Sequence, residues 1–108
     1  MRNLTPSELK AHLEQADEDP LLLDVREPWE FQICRLEGSE LVPMRNIPQA
    51  VEEQVLDPRR EVVVICHHGI RSRQVGIFLE HQGFRDVINL QGGVEAWARE
   101  VDSSMPQY

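Results

Sequence analysis

Residues 62–72 of the chain read Val-Val-Val-Ile-Cys-His-His-Gly-Ile-Arg-Ser. The run of four β-branched residues at 62–65 is typical of a strand that is buried on both faces. Cys66 follows this run directly, and a short loop then leads into a helix. We therefore expect an α/β fold in which the strand is central and carries Cys66 at its carboxyl end, where ligands bind in such folds.

The loop after this strand has the composition of an anion-binding site. The first backbone N–H groups of a helix have no partner within the helix, and the helix dipole places partial positive charge at the same end. A cysteine at that position is favoured as its thiolate, which is the nucleophilic form. Arg71 adds a permanent cation, and Gly69 permits the positive φ that a tight curl of N–H groups requires. We therefore predict a loop that binds an anion, with a reactive Cys66 at its base.

An inert thiol is the alternative interpretation of Cys66, because free cysteine is among the residues most often buried in protein cores. Core packing alone, however, does not require Gly69, Arg71 and Ser72 to be grouped with a cysteine where a strand passes into a helix. This grouping favours a catalytic or binding role for Cys66.

Strands and helices alternate along the rest of the chain. Short apolar runs predict strands at 21–25, 41–42, 62–65 and 87–90. Capping residues, among them a capping box of Thr5 and Glu8, helix-start prolines and the helical spacing of apolar residues predict helices that begin near Pro6, Pro28, Ile47, Ser72 and Gly93. The helix that begins near Ile47 is expected to end near residues 57–60. Strands that alternate with helices pair in parallel, and the helices cover both faces of the sheet. The predicted fold class is therefore α/β, with a small parallel sheet of about five strands and helices on both faces.

Asp24 lies at the end of the predicted strand 21–25 and places a charge in a buried segment. Such a charge needs a partner, and the candidates are the Arg26 side chain and backbone N–H groups. A structural ion pair or cap explains these residues at least as well as direct catalysis does. Asp24 and Arg26 are therefore assigned a supporting role.

The overall composition limits the possible classes of function. A chain of 108 residues has the size of one domain. Its formal net charge of -8 argues against general nucleic-acid binding, which depends on a basic surface. A local basic cluster can still attract a small anion, because charges are screened over about 8 Å at physiological salt. We expect Arg71, Arg73 and Arg85 to form such a cluster around the site.

The two cysteines, Cys34 and Cys66, are too few for a disulfide framework, and no second pair has the spacing of zinc ligands. His67 and His68 are too few and too close together for a metal site. We expect no metal and no cofactor. The first residues lack the apolar segment of a signal peptide, and no segment is long enough to cross a membrane. We therefore expect a cytoplasmic protein that has no membrane partner.

Three segments follow one another in a characteristic order and spacing. They are Leu-Asp-Val-Arg-Glu at 23–27 with Trp-Glu-Phe at 29–31, Cys-His-His-Gly-Ile-Arg-Ser at 66–72, and Leu-Gln-Gly-Gly-Val-Glu-Ala-Trp at 90–97. Together they resemble the single-domain rhodaneses, a family of sulfurtransferases, across nearly the whole chain. The resemblance implies one rhodanese-like domain at residues 1–100, followed by a polar tail at 101–108. The end of this tail, Met-Pro-Gln-Tyr, also resembles the end of rhodanese domains fused behind ubiquitin-like-activating adenylyltransferases.

The resemblance implies that Cys66 is the catalytic residue of a persulfide relay. Cys66 would take a sulfane sulfur from a small donor such as thiosulfate and pass it to cyanide, to a thiol or to a protein acceptor. The loop backbone would hold the transferred sulfur and its charge, as an oxyanion hole holds an oxygen. The residues assigned to this substrate and persulfide-binding loop are His67, His68, Gly69, Ile70, Arg71 and Ser72. Within the loop, the resemblance implies that Arg71 orients an anionic donor or braces the loop.

Two other functions could use the same residues. A cysteine-dependent phosphatase or an arsenate reductase-like enzyme also needs a thiolate in an anion-binding loop. Only four residues separate Cys66 from Arg71, however, and the related dual-specificity phosphatases have one more. The second alternative is a non-catalytic module that docks a partner, although docking alone has no need of a nucleophile. Cys34 is either a buried structural residue or, if it lies near Cys66, a resolving thiol.

Overall fold

A computed structural model describes residues 1–108, and a sheet of five parallel strands lies at its centre. In chain order the strands are β1 (Arg2–Leu4), β2 (Leu21–Asp24), β3 (Glu40–Leu41), β4 (Val62–Ile65) and β5 (Val87–Leu90). Their order across the sheet is β1-β5-β4-β2-β3, and every pairing is parallel. The predicted fold class is confirmed.

Five helices surround this sheet. They are α1 (Pro6–Gln15), α2 (Pro28–Ile33), α3 (Ile47–Glu52), α4 (Ile70–His81) and α5 (Gly93–Glu100), and a 3₁₀ turn, Met44–Asn46, leads into α3. Helices α3 and α4 pack on one face, and α1 and α5 pack on the other. None of these helices has the length and apolarity needed to span a membrane.

The central strand β4 is buried on both faces, as its uninterrupted apolar sequence predicts. Each of its four residues is at most 1% exposed. Val62 and Val64 pack with Cys66 in the core beneath α3 and α4, whereas Val63 and Ile65 pack in the core beneath α1 and α5. This alternation follows from the two-residue period of a strand, and it directs Cys66 toward α4.

The amino ends of two helices are set by residues next to them in sequence. Thr5 caps α1 by accepting a hydrogen bond from the Glu8 N–H, and the Glu8 side chain accepts one from the Thr5 N–H. The predicted capping box is therefore confirmed. Helix α4 begins at Ile70, two residues ahead of the expected start, so Ser72 lies within its first turn.

Two other boundaries differ from the sequence prediction. Helix α3 ends at Glu52 rather than near residues 57–60, because Gln54 has a left-handed φ of 59° that a continuing helix does not adopt. Strand β1 has no apolar run by which to predict it, since it forms an edge of the sheet and two of its three residues are exposed. Both differences arise from pairing and backbone conformation that the residue types do not reveal.

The segment 101–108, expected as a polar tail, packs against the domain at two points. Met105 is only 8% exposed and lies in the core beneath α1 and α5. The Tyr108 ring stacks on His67 in the loop that follows β4. Ser103 and Ser104, between these contacts and α5, are exposed. The segment therefore contributes side chains to the neighbourhood of the predicted site.

Candidate active site

Cys66 lies at the carboxyl end of β4, where the chain turns into α4. The residue is 1% exposed, and its Sγ accepts a hydrogen bond of 3.0 Å from the backbone N–H of Gly69. The thiol also lies 3.2 Å from the Ser72 hydroxyl. Gly69 has a φ of +95°, a conformation open mainly to glycine. The loop therefore brings Gly69 and Ser72 to the sulfur, and the Gly69 N–H is the backbone donor at hydrogen-bond distance.

The start of α5 fixes the backbone of this loop. The Val94 N–H donates to the Cys66 carbonyl at 2.9 Å, and the Glu95 N–H donates to the His67 carbonyl at 3.1 Å. These two donors belong to the first turn of α5, whose N–H groups have no partner within the helix. The carbonyl oxygens of Cys66 and His67 are thereby paired with α5.

This close approach of α5 requires glycine at position 93. Gly93 has a φ of +62°, and a Cβ atom there would overlap the carbonyl oxygens of Cys66 and His67. Gly69 is restricted in a similar way, because a Cβ atom there would lie 2.9 Å from the backbone nitrogen of Gly92. The two glycine-containing turns pack backbone against backbone, so a side chain at Gly93 would push the loop away from α5.

A row of buried polar side chains leads away from the sulfur. The Ser72 hydroxyl donates to Oδ1 of Asn89 at 2.5 Å, and Asn89, on the neighbouring strand β5, is 3% exposed. Nδ2 of Asn89 donates to Oδ1 of Asn3 on β1 at 3.0 Å and to the Gly69 carbonyl at 3.4 Å. Thiol, hydroxyl and amide therefore form one hydrogen-bond network on the α4 side of Cys66.

Arg71 is tightly paired and is not a free cation. Its guanidinium makes two hydrogen bonds of 2.8 Å to the carboxylate of Glu30 on α2. Glu30 is 4% exposed and also accepts from the Glu27 N–H and the Tyr108 hydroxyl, each at 2.8 Å. The hydrogen bonds from Arg71, reinforced by these others, lower the pKa of Glu30 to about 2. Of the two roles expected for Arg71, orienting a donor or bracing the loop, this geometry favours bracing.

Asp24 and Arg26 form a second ion pair, which is fully buried. Both side chains are 0% exposed, and Nε and Nη2 of Arg26 bind the two carboxylate oxygens at 2.9 and 2.7 Å. Arg26 also donates to the Cys34 carbonyl at 2.6 Å and to the Tyr108 hydroxyl at 2.9 Å. Burial disfavours the charge of Arg26, but its hydrogen bonds to Asp24 and Tyr108 outweigh burial and raise its pKa. The pair braces the end of α2 and Tyr108, and its hydrogen bonds do not reach Cys66.

Aromatic rings pack against the loop. The centroids of the Tyr108 and His67 rings are 3.9 Å apart with 11° between the planes, and those of His67 and His68 are 3.9 Å apart with 29°. Trp29 meets Tyr108 edge-on at 5.7 Å and is 60% exposed. Burial, together with the charge of His68, lowers the pKa of His67. The uncharged form of the His67 imidazole is therefore favoured in this stack of three rings.

The side chains of His67, His68 and Glu95 place potential metal ligands within 4.8 Å of one another. The two imidazoles are stacked, however, so their nitrogen lone pairs lie in two separate, nearly parallel planes and are poorly placed to converge on one ion. His68 is paired with Glu95 at 2.6 Å. The cluster is therefore an ion pair beside a stacked ring, and it lacks the geometry of a ligand set.

The structure corrects the prediction that Arg71, Arg73 and Arg85 form a basic cluster around the site. Arg85 lies just before β5, and its N–H donates to the Pro58 carbonyl at 3.3 Å. In a parallel sheet, a residue before a strand and a residue after a strand lie at opposite ends. Arg85 therefore lies at the far end of the sheet from Cys66, and its inclusion in the cluster is wrong.

Cys34 and Cys66 pack in different cores. Cys34 is 7% exposed, lies beneath α1 and α5, and its Sγ is 3.7 Å from a guanidinium nitrogen of Arg26. Cys66 packs on the other face of the sheet, and both cysteines are free. The structure therefore supports a structural role for Cys34 and gives no support for a resolving thiol.

Three residues of the site escape prediction from the sequence, namely Glu30, Asn89 and Tyr108. Each reaches the site through a partner that is distant in the chain: Glu30 and Arg71 are 41 positions apart, and Tyr108 and Arg26 are 82 apart. The polar Asn89 inside an otherwise apolar strand is the one sequence signal that could have identified it, because buried polar side chains need partners.

Residues 5–100 match the model of the rhodanese-like domain. A sulfurtransferase of Allochromatium vinosum is 42% identical over 82 residues, which cover 76% of this chain and 75% of that protein. The putative sulfurtransferase YtwF of Bacillus subtilis is 37% identical over 101 residues, or 94% of each chain. Other curated relatives are much longer, and the chain spans 30% of the length of one and 26% of another. Among solved structures, a rhodanese-like domain protein from Staphylococcus aureus has a TM-score of 0.81 at 28% identity, covering 100% of this chain and 99% of that one.

Proposed function

This chain belongs to the rhodanese-like domain family, and from that membership we propose that it is a sulfurtransferase whose catalytic residue is Cys66. Two relatives named as sulfurtransferases support this activity. The observation that carries the proposal is the buried Sγ of Cys66 at the end of β4, which accepts the Gly69 N–H at 3.0 Å. A sulfur atom held in this way can carry a second sulfur whose negative charge is stabilised by nearby N–H groups.

In the first half-reaction, the donor is a small anion with a sulfane sulfur, such as thiosulfate. The Cys66 thiolate attacks the sulfane sulfur, so that an S–S bond to Cys66 forms and the bond between the sulfane sulfur and the sulfite group breaks. The electron pair of the broken bond leaves on sulfite, which takes up the proton lost by the thiol. Cys66 is left as a persulfide with one negative charge on its terminal sulfur.

In the second half-reaction, an acceptor attacks the terminal sulfur of the persulfide. With cyanide the product is thiocyanate, and the electron pair of the S–S bond returns to Cys66 as the thiolate. A small thiol or a protein thiol takes the sulfur in the same way and becomes a persulfide. Each broken bond leaves its electron pair on a sulfur atom, so both steps balance without a cofactor.

The other site residues have supporting parts in this proposal. The substrate and persulfide-binding loop consists of His67, His68, Gly69, Ile70, Arg71 and Ser72. Arg71 fixes the loop to α2 through Glu30, and the buried pair of Asp24 and Arg26 braces the end of α2. The catalytic unit is the domain at residues 1–100, with the segment 101–108 packed against its loop.

The phosphatase alternative has less support. An arginine that holds a phosphate needs its forked donors free for two parallel hydrogen bonds. The guanidinium of Arg71 already makes such a pair with Glu30. With only four residues between Cys66 and Arg71, the loop is also short for a tetrahedral phosphate. Sulfur transfer therefore fits these residues better.

Intact-protein mass spectrometry tests the proposal. After incubation with thiosulfate, the wild type should gain the mass of one sulfur atom, and cyanide should remove that sulfur as thiocyanate. Cys66→Ser should gain nothing, whereas the matched control Cys34→Ser should gain the sulfur as the wild type does. An unchanged wild-type mass, or sulfur bound to Cys66→Ser, would contradict the proposal. Hydrolysis of an aryl phosphate that depends on Cys66 would favour the phosphatase alternative.

A further inference from the structure

The orientation of the buried Asn89 amide is fixed by its neighbours. The Gly69 carbonyl can only accept a hydrogen bond, so the Asn89 atom that faces it at 3.4 Å is Nδ2. Oδ1 of Asn89 therefore faces the Ser72 hydroxyl at 2.5 Å. Because an amide oxygen can only accept, the hydroxyl hydrogen of Ser72 points to Asn89.

The direction of that hydrogen bond determines what Ser72 offers to Cys66. A hydroxyl has a single hydrogen, and Asn89 occupies it, so only lone pairs of the Ser72 oxygen face Sγ at 3.2 Å. A thiol fits this arrangement, because its S–H donates to the Ser72 oxygen. A thiolate does not fit, because it needs donors and Ser72 has no hydrogen left to give.

The Cys66 thiolate and Asn89 therefore compete for one hydrogen atom. If Ser72 keeps its hydrogen on Asn89, the thiolate has only the Gly69 N–H. If the hydroxyl turns to the sulfur, Oδ1 of Asn89 is left without a donor. In both arrangements one acceptor, either the thiolate or Oδ1 of Asn89, loses a hydrogen bond. Water does not replace this bond, because Ser72 is 0% exposed and Asn89 is 3% exposed.

We propose that Asn89 is a positioning residue that makes the free thiolate of Cys66 less favourable, by occupying the hydroxyl hydrogen of Ser72. This inference rests on the proposed role of Cys66 as the nucleophile. In the persulfide the negative charge lies on the terminal sulfur, so Ser72 can stay bound to Asn89. The Ser72–Asn89 hydrogen bond can therefore remain when Cys66 is a thiol or a persulfide. Only the free thiolate competes with Asn89 for the Ser72 hydrogen.

Several elements around Cys66 carry other charged and titratable groups. Most are held in pairs: Arg71 of α4 with Glu30 of α2, Asp24 of β2 with Arg26, and His68 of the loop with Glu95 of α5. The remaining two are His67 of the loop and Tyr108. None of them hydrogen-bonds to Asn89, so a change that depends on Asn89 reports on its bond to Ser72.

The pH dependence of Cys66 alkylation by iodoacetamide tests the inference, because the thiolate is the reactive form and no sulfur donor is needed. All proteins carry Cys34→Ser, so that one thiol reacts. Asn89→Leu, of similar size, should move the midpoint of the pH profile down by about one unit, because the thiolate then gains the Ser72 hydroxyl as a donor. Asn3→Ala is the matched control. It removes the outer partner of Asn89 but leaves the Gly69 carbonyl to orient the amide, so its midpoint should equal that of the parent.

A double-mutant cycle separates this role from a merely structural one. Because Asn89 acts through Ser72, Asn89→Leu should not move the midpoint when Ser72 is already alanine. The inference is overturned by an unchanged or raised midpoint in Asn89→Leu, or by the same shift in both backgrounds. If Asn89→Leu does not fold, Asn89→Ala takes its place. Alkylation needs no sulfur transfer, so this result stands apart from the thiosulfate experiment.

Discussion

Two strand-to-helix junctions at the carboxyl edge of the sheet have the same construction and different partners. In the first junction β4 leads through Cys66 and Gly69 into α4, and in the second β5 leads through Gly92 into α5. Each helix follows a left-handed glycine, with φ of +95° at Gly69 and +79° at Gly92. The first junction directs an N–H to a sulfur, whereas the second directs two N–H groups to the carbonyls of the first.

The backbone is much the same at the two junctions, and they differ in the hydrogen-bond acceptor that lies in front of each helix. The unpaired N–H groups of a helix start bind whatever acceptor is placed before them. At α5 that acceptor is the protein's own loop, and at α4 it is Cys66. Glycines therefore identify two tight turns, and only the cysteine distinguishes the junction of the proposed nucleophile from the junction that supports it.

The largest expected effect comes from Gly93→Ala, which breaks the contact between the start of α5 and the loop that follows β4. The added Cβ would overlap the carbonyl oxygens of Cys66 and His67 at a φ of +62°. We expect the free energy of unfolding, measured in urea, to fall by at least about 3 kcal/mol. Persulfide formation, measured by intact mass, should be lost.

Gly83→Ala is the control for this effect of Gly93→Ala. Gly83 has a φ of +92°, but a Cβ there would have nothing within 4 Å. It should therefore lose only the conformational part, about 1–2 kcal/mol. Equal losses in the two variants would mean that the contact with α5 does not hold the loop, and the comparison between the junctions would fail.

A smaller, pH-dependent effect is expected from Glu30, which holds Arg71 at the first junction. The Arg71 hydrogen bonds are the main reason that the pKa of Glu30 is about 2 in the folded protein, against an ordinary value of 4.5. The ionised carboxylate therefore stabilises the fold above pH 4.5 by about 3 kcal/mol, and this stabilisation is lost as the pH falls toward 2. Glu30→Gln should be less stable than the wild type at pH 7 and should lose less stability on acidification. Parallel pH profiles in urea unfolding would contradict this assignment.

The smallest effect is expected from Glu95→Gln, which sharpens the contrast between backbone and side-chain contacts. The Glu95 N–H binds the His67 carbonyl, whereas its carboxylate pairs with His68 at the surface. Exposed pairs of this kind contribute little, so the free energy of unfolding should change by less than about 0.5 kcal/mol. Persulfide formation should match the wild type in intact-mass measurements, because the backbone hydrogen bond remains. A large loss would mean that the side chain, and not the backbone, positions the loop.

Features that depend on neighbouring residues follow from the sequence. The capping box of Thr5 and Glu8 and the buried run of β4 each involve a few consecutive positions, and the structure confirms them. The parallel sheet follows from the alternation of strands and helices. The position of Cys66 follows as well, because it comes directly after the most apolar strand.

Features that depend on distant residues do not follow from the sequence. The pairing of Arg71 with Glu30 brings together residues 41 positions apart, and no local pattern specifies it. The prediction that Arg85 lies near the site is wrong because the end of the sheet at which Arg85 lies depends on the strand topology, which no local pattern reveals. The early end of α3 depends on a left-handed Gln54, a residue type that gives no signal of that conformation.

The contact between Asn3 and Asn89 joins residues 86 positions apart, and β5 lies between β1 and β4 in the sheet. Because β4 precedes β5 and α5 in the chain, the ribosome makes Cys66 before Asn89 and before the α5 residues that hold the loop carbonyls. At synthesis rates of about 5–20 residues per second, the new thiol spends on the order of seconds without these partners. The buried surroundings of the Cys66 sulfur therefore form only once the chain has been made through α5.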